Sequence, residues 1–160
     1  MAYIYPAPGT SGIQATLSIS VESNSSDTGT TIPALQDVTV NNANDVFTWT
    51  QLDSGSKQQI ATTATNSLGM NLVLEQTTFF GDSTASANTA ALKGIFGLSK
   101  DKTKVSFSLY LGSTDGATTS DGKTITGDGY ITGLAPTVSA DAPVWVTPIT
   151  ITVDGDYTVS

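Results

Sequence analysis

The sequence predicts a mainly β protein: an antiparallel sandwich or small barrel, a single domain over residues 1–160, with one flanking helix at about 84–98. Two stretches alternate with a period of two. In the first, Ile13, Ala15, Leu17, Ile19 and Val21 alternate with Gln14, Thr16, Ser18, Ser20 and Glu22; in the second, Val105, Phe107, Leu109 and Leu111 mark the apolar phase. That period buries one face of a strand and wets the other. Composition agrees: the chain has 27 Thr and 18 Ser, and only 12% of its residues are charged. Hydroxyl side chains solvate a strand without adding charge, and branched Thr fits a pleated surface. One segment alone has convincing helical spacing, with Ala87, Ala91, Ile95 and Leu98 three or four apart and Leu92 and Phe96 beside them.

In order along the chain, residues 1–12 read as an arm, with two tyrosines, two prolines and two glycines and no period. The first strand covers 13–22. Residues 23–34, SNSSDTGTTIPA, read as a flexible polar loop. Two β-like pieces, LQDVTV and DVFTWTQL, follow, split by Asn41, Asn42 and Asn44, and 53–67 is polar again. Leu68, Met70, Leu72 and Leu74 mark a strand over about 68–79, ended by Gly81. Asp82 or Ser83 offers an N-cap for the helix, in which Gly94 and Gly97 imply close packing or fraying. Lys100, Lys102 and Lys104 lie beyond its end, where the helix dipole favours cations. After the strand at 105–111, three Asp-Gly pairs, at Asp115, Asp121 and Asp128, make 112–129 a long hairpin-type connection. Strands at 130–139 and 144–153 and a short tail complete the chain. In the last strand the apolar phase shifts from Val144 and Val146 to Ile149, Ile151 and Val153. Pro148 cannot donate a ladder hydrogen bond, so a bend is expected there with a change of buried face.

The alphabet excludes much chemistry. There is no Cys and no His, all six basic residues are lysines, and no imidazole or thiolate can activate a nucleophile. Ser56 beside Lys57 is a sequence neighbour and no more. Most acids are Asp in turn-like contexts, the expected place for Asp on backbone grounds. The Asp-Gly pairs lack the ligand spacing of a helix–loop–helix calcium site. Phe47, Trp49, Tyr130 and Trp145 could stack sugars or bases, but on alternating strands they fit core or interface equally. No phosphate-binding glycine loop is present. The chain is therefore expected to be no enzyme and to need no cofactor or metal. A net charge of −8 opposes wrapping of nucleic acid. No signal-peptide pattern and no membrane-length apolar run is visible, so a soluble protein is expected.

Four segments together carry a resemblance: LQDVTVNNANDVFTWTQLDSGSKQQ, ANTAALKGIFGLSK, KVSFSLYLG and GYITGLAPTVSADAPVWVTPITITVDGDYTVS. An interrupted amphipathic helix, a strand, a variable loop and a final strand pair in this order resemble the major tail tube proteins of long-tailed bacteriophages over roughly residues 33–158. Residues 1–32 match nothing firmly. The resemblance implies a structural virion protein whose subunits form rings, usually of six, that stack into a hollow tube for DNA delivery. It implies itself and other tail proteins as partners, a place in the phage tail after synthesis in the host cytoplasm, and a loop at 23–36 or 41–45 that reaches a neighbour. An acidic conduit would let DNA slide, so Asp37, Asp45, Asp53 and Glu75 are candidate lumen-facing residues. Lys93, Lys100, Lys102 and Lys104 are either a solvated helix end or a basic patch that meets an acidic patch on the next subunit. A capsid decoration or surface adhesion domain without tube assembly is the alternative; the tubes of contractile tails and of type VI secretion look alike at this level, and a carbohydrate-binding accessory rests only on the aromatics.

Overall fold

The computed structural model describes residues 15–32, 35–53, 55–82, 88–112, 122–141 and 144–160. The proposed arm at 1–12, Asp115, Asp121 and Pro143 lie outside these residues. The described strands are β1 (Thr16–Val21), β2 (Thr30–Ile32), β3 (Leu35–Thr50), β4 (Lys57–Val73), β5 (Lys104–Leu111), β6 (Lys123–Leu134), β7 (Val146–Val153) and β8 (Thr158–Val159). All pair antiparallel in one open sheet of order β2-β1-β5-β6-β7-β4-β3, with β8 beside β6. The molecule is mainly β, as the alternation implies.

Long strand β6 joins two halves of the sheet. Lys123 to Tyr130 pair with β5, while Gly129 to Leu134 pair with β7. The inward residues of both halves meet in one core that includes Leu17, Leu68, Leu109 and Ile151, each 1% exposed or less. Truncating such a side chain to Ala costs about 2–5 kcal/mol through lost transfer energy and the cavity left behind. On the inward phase of β6, Gly127 stands opposite Phe107, whose ring occupies the space a side chain at 127 would need. Outward-facing hydroxyls meet across strands, as in Thr132–Thr152 at 2.7 Å and Thr126–Thr158 at 3.2 Å.

Several elements differ from the sequence expectation. In place of one helix at 84–98, the described residues hold two short ones: α1 (Gln76–Phe80), where a strand was expected to continue to 79, and α2 (Ala90–Lys100); 83–87 lie outside the described residues. Helix α1 exists because Glu75 caps it. The carboxylate accepts from Thr77 N at 3.1 Å and from Thr78 N and Oγ1 at 2.8 Å each. Helix α2 is kinked at Gly94 (φ 64°), where its backbone lies against α1's cap residue Gly81 (φ 81°). Close packing is thus the reason for Gly94. The expected break at Asn41–Asn44 is absent, and β3 runs through it on the ladder with β4. The polar stretch expected at 53–67 is the start of β4 from Lys57. Asp128-Gly129 is no turn: it lies inside β6, with Asp128 accepting from Ser106 Oγ at 2.6 Å.

At Pro148 the expected change of face does not occur. Thr147 is buried on the same phase as Ile149, Ile151 and Val153, so β7 keeps one inward face and Val144 points to solvent. Pro148 is tolerated because the regular β6 ladder has already ended at Leu134–Ile149. On its other side it faces Asn71, whose N–H donates away, to Asp37.

Between β1 and β2, Asp27 organises the stretch expected to be a loop. Its Oδ2 accepts from Val21 N and Ala90 N, both at 2.8 Å, and Oδ1 from Gly29 N at 3.0 Å. Thr89, the N-cap of α2, makes no side-chain cap bond. Asp27 therefore satisfies the helix N-terminus from a remote position and ties it to the end of β1.

Candidate assembly surface

Strands β3 and β4 pair over their full length, but only residues 67–73 of β4 also pair with β7. Residues 41–50 and 57–66 are left as a two-stranded arm projecting from the sheet, reaching about 30 Å at strand rise. A register shift between Asn44 and Val46 sets a bulge in the arm. Beyond it Phe47 stands opposite Ile60, and Trp49 lies on the same face. Phe47 and Trp49 stack with centroids 5.9 Å apart and planes at 25°. Phe47 is 59% exposed, Val46 and Ile60 are similarly open, and Leu52 at the tip is fully exposed. An isolated ribbon is marginally stable in water, and so much apolar surface on one marks a contact site. At the arm's root Asn66 is buried and donates to Asp156 at 3.3 Å.

A second apolar patch lies on the helices. Phe79 is buried, whereas Phe80 and Phe96 are 59% and 43% exposed. The three rings touch, with Phe79–Phe80 at 4.8 Å, Phe80–Phe96 at 5.9 Å and Phe79–Phe96 at 6.0 Å. The Gly81–Gly94 approach locks the two helices together and so fixes this platform.

The four lysines separate into two kinds. Lys93 pairs with Asp101 at 2.9 Å and Lys104 with Asp154 at 3.0 Å. The Lys93 hydrogen bond holds the Asp101 carboxyl below its ordinary range, and the Asp154 hydrogen bond raises Lys104. Lys100 and Lys102 are exposed and form no ion pair among the described residues. Lys100 lies one turn beyond Phe96, on the same side of α2. Lys102 closes the helix in left-handed conformation (φ 54°), with Thr103 N donating to Leu98 O at 3.0 Å and Lys102 N to Ser99 O at 3.2 Å.

The four carboxylates are not brought together. Asp37 is on the outward face of β3 and accepts from Asn71 Nδ2 at 2.9 Å. Asp45 lies in the arm's bulge, Asp53 at its tip, and Glu75 at the far end of β4 as the α1 cap. Hydrogen bonds from Thr78, then Thr77, hold the Glu75 carboxyl below its usual range. Phe47, Trp49, Tyr130 and Trp145 are all at the surface, not in the core. Sequence reasoning missed Leu52, Ile60 and Phe80, because a strand exposed on both faces has no burial alternation and α1 was read as strand. Among the described residues no cluster of His, Cys, Asp or Glu could hold a metal ion. A groove of about 470 Å³ over β1, β5 and β6 is lined by hydroxyls and by Asp128, Asp154 and Asp156; Ser106 and Lys104 already partner the first two.

No protein-family model and no curated protein sequence matches the chain. Solved structures do. A chain from the tail of an empty gene transfer agent particle, refined with C6 symmetry, superposes with a TM-score of 0.60 at 13% identity, covering 90% of this chain and 95% of that one. A chain of the SPP1 tail tube gives 0.60 at 9% identity, over 91% and 77%. One from the sheath/tube terminator of an extracellular contractile injection system, PVC, gives 0.58 at 15% identity, over 98% and 97%. At such identities the likeness is one of fold: the chain has the fold found in phage tails and contractile injection systems.

Proposed function

We propose that this chain is a structural tail-tube subunit, a virion protein whose copies form rings that stack into a hollow conduit for DNA. The observation that carries this is the shared fold, over nearly the whole of this chain, with components of phage-like tails and injection systems. The arm adds independent support, since a solvent-exposed aromatic ribbon is stabilised by a neighbour. With no His and no Cys in the sequence, the common nucleophile–base pairs are absent, which agrees with a structural role.

The outward face of β3, β4 and β7 suits the bore. Thr39, Ser67, Asn71, Thr150 and Thr152 present hydroxyl and amide groups, and Asp37 is the charge among them. A face without lysine gives DNA phosphates no cation to bind. The position of Asp37 on this face, beside Asn71, supports it as the lumen candidate. Asp37→Lys is expected to leave assembly intact and slow DNA ejection; unchanged ejection kinetics would remove it from the bore.

Negative-stain microscopy of the purified chain tests the function itself. Rings or hollow tubes are expected. A strict monomer at high concentration would instead favour a decoration or adhesion domain.

A further inference from the structure

The arm leaves the sheet at Asn66. Ser67 still has a β7 partner in Thr152, whereas Asn66 has its ladder partner across the arm, in Asn42. Strands in a wide sheet hold one another's direction, but a two-stranded ribbon twists over a larger range. Continuity of β4 therefore sets where the arm begins and not where it points.

Asn66 stands on the phase of Leu68, Met70 and Leu72 and is as buried as they are, at 2% exposure. Its Nδ2 donates to Asp156 Oδ1 at 3.3 Å, and its Oδ1 has no hydrogen-bond partner among the described residues. A buried amide with one long bond and one unmet acceptor is less stable there than an apolar side chain of the same shape. Its acceptor is exposed, so water competes for that carboxylate. The bond contributes little energy, but it has geometry. Asp156 Oδ1 also accepts from Tyr157 N at 2.8 Å, and the Tyr157 ring packs on the core. Ser160 and Thr124 exchange backbone hydrogen bonds, both at 2.9 Å, and so fasten the tail beyond β8 to β6. The turn at 154–157 is thus a fixed post. As an ionised carboxylate accepts only, it also decides which end of the amide faces it.

We infer that Asn66 is a positioning residue: through Asp156 it pins the root of the β3–β4 arm to the anchored β7–β8 turn and so sets the direction of the arm, while lowering the stability of the fold. Buried polar groups select one arrangement over others in this way in some folds. The inference concerns one chain by itself, and stands apart from the tube reading and from what the arm touches.

Distance measurement tests it. The chain has no cysteine, so Gln59→Cys on the arm and Thr132→Cys on β6, both exposed, take a unique pair of spin labels. Dilution with unlabelled chain leaves distances within one molecule, read by double electron–electron resonance. The parent should give a narrow distribution. Asn66→Leu should melt at the same temperature or higher and give a broader one; an equally narrow distribution would overturn the pin. Should Asn66→Leu melt lower, Asp156→Ala decides, because it keeps Asn66 and alters an exposed side chain. Broadening by Asp156→Ala supports the pin, and an unchanged width sinks it. Asp156→Ala should also lower the melting temperature of the parent more than that of a chain carrying Asn66→Leu, since only the parent is left with a buried amide unmet at both ends. Equal shifts in the two backgrounds would overturn the coupling. None of these results depends on whether rings or tubes form, so failure here leaves the tube function standing.

Discussion

Asp27 shows how one side chain can hold three elements. It closes the β1 end, the following turn and the α2 N-terminus with three backbone hydrogen bonds. Asp27→Ala is expected to destabilise the fold by about 2–3 kcal/mol, the scale of lost charge-assisted bonds and a lost cap, with Asn retaining part; chemical denaturation measures it. Gly94 is a second such point. Any side chain there meets the backbone of Phe79 to Gly81 and must adopt a left-handed φ. Gly94→Ala should cost more than about 2 kcal/mol and separate α1 from α2. The sequence marked Gly94 as anomalous for a helix but could not identify Gly81 as its partner, because that contact is tertiary.

Glu75 gives a pH dependence of defined sign. Its folded carboxyl titrates below the ordinary value because Thr78 and Thr77 donate to it. Its contribution to stability is therefore fully present above about pH 4.3, the usual Glu value, and is lost as pH falls through the lower folded value. Glu75→Gln should remove that pH dependence from the melting of α1; a parent and variant with the same acid transition would contradict the cap. A Glu N-cap was invisible in the sequence because Ser, Thr, Asp and Asn are the usual signals.

Among the elements, legibility follows burial. Strands β1 and β5 were readable because each has one face in the core, so their alternation records the fold. The arm halves of β3 and β4 were not, because exposure on both faces leaves no period. Asn41, Asn42 and Asn44 read as a break, yet β4 supplies their ladder partners in Ser67, Asn66 and Ala64. Strand β6 was shortened for a similar reason: Asp-Gly inside a strand looks like a turn unless the Phe107 ring over Gly127 is known. The arm should also be the least protected part of the monomer. Amide exchange at 41–50 and 57–66 is expected to run well ahead of exchange at 67–73 and 146–153, where strands are paired on both sides or back the core. Equal protection of arm and core would mean that the arm is stabilised within the subunit itself.

For the whole molecule, mainly β architecture was legible in composition, whereas the surfaces were not. The lysine cluster that looked like one patch divides, with Lys93 and Lys104 bound within the chain and Lys100 and Lys102 left exposed. A contact between Lys100 and Lys102 and carboxylates of another copy would weaken assembly as salt rises to about 0.15 M, where screening reaches about 8 Å, whereas relief of repulsion between chains of net charge −8 would strengthen it. Assembly indifferent to salt would leave Lys100 and Lys102 as a solvated helix end.

Electron cryomicroscopy of the particles formed by the full chain tests the central claim most directly. Stacked rings around an open bore are expected, with the Thr- and Asn-rich face of β3, β4 and β7 turned to the bore. A particle without a bore, or rings whose bore is lined by another face, would contradict it.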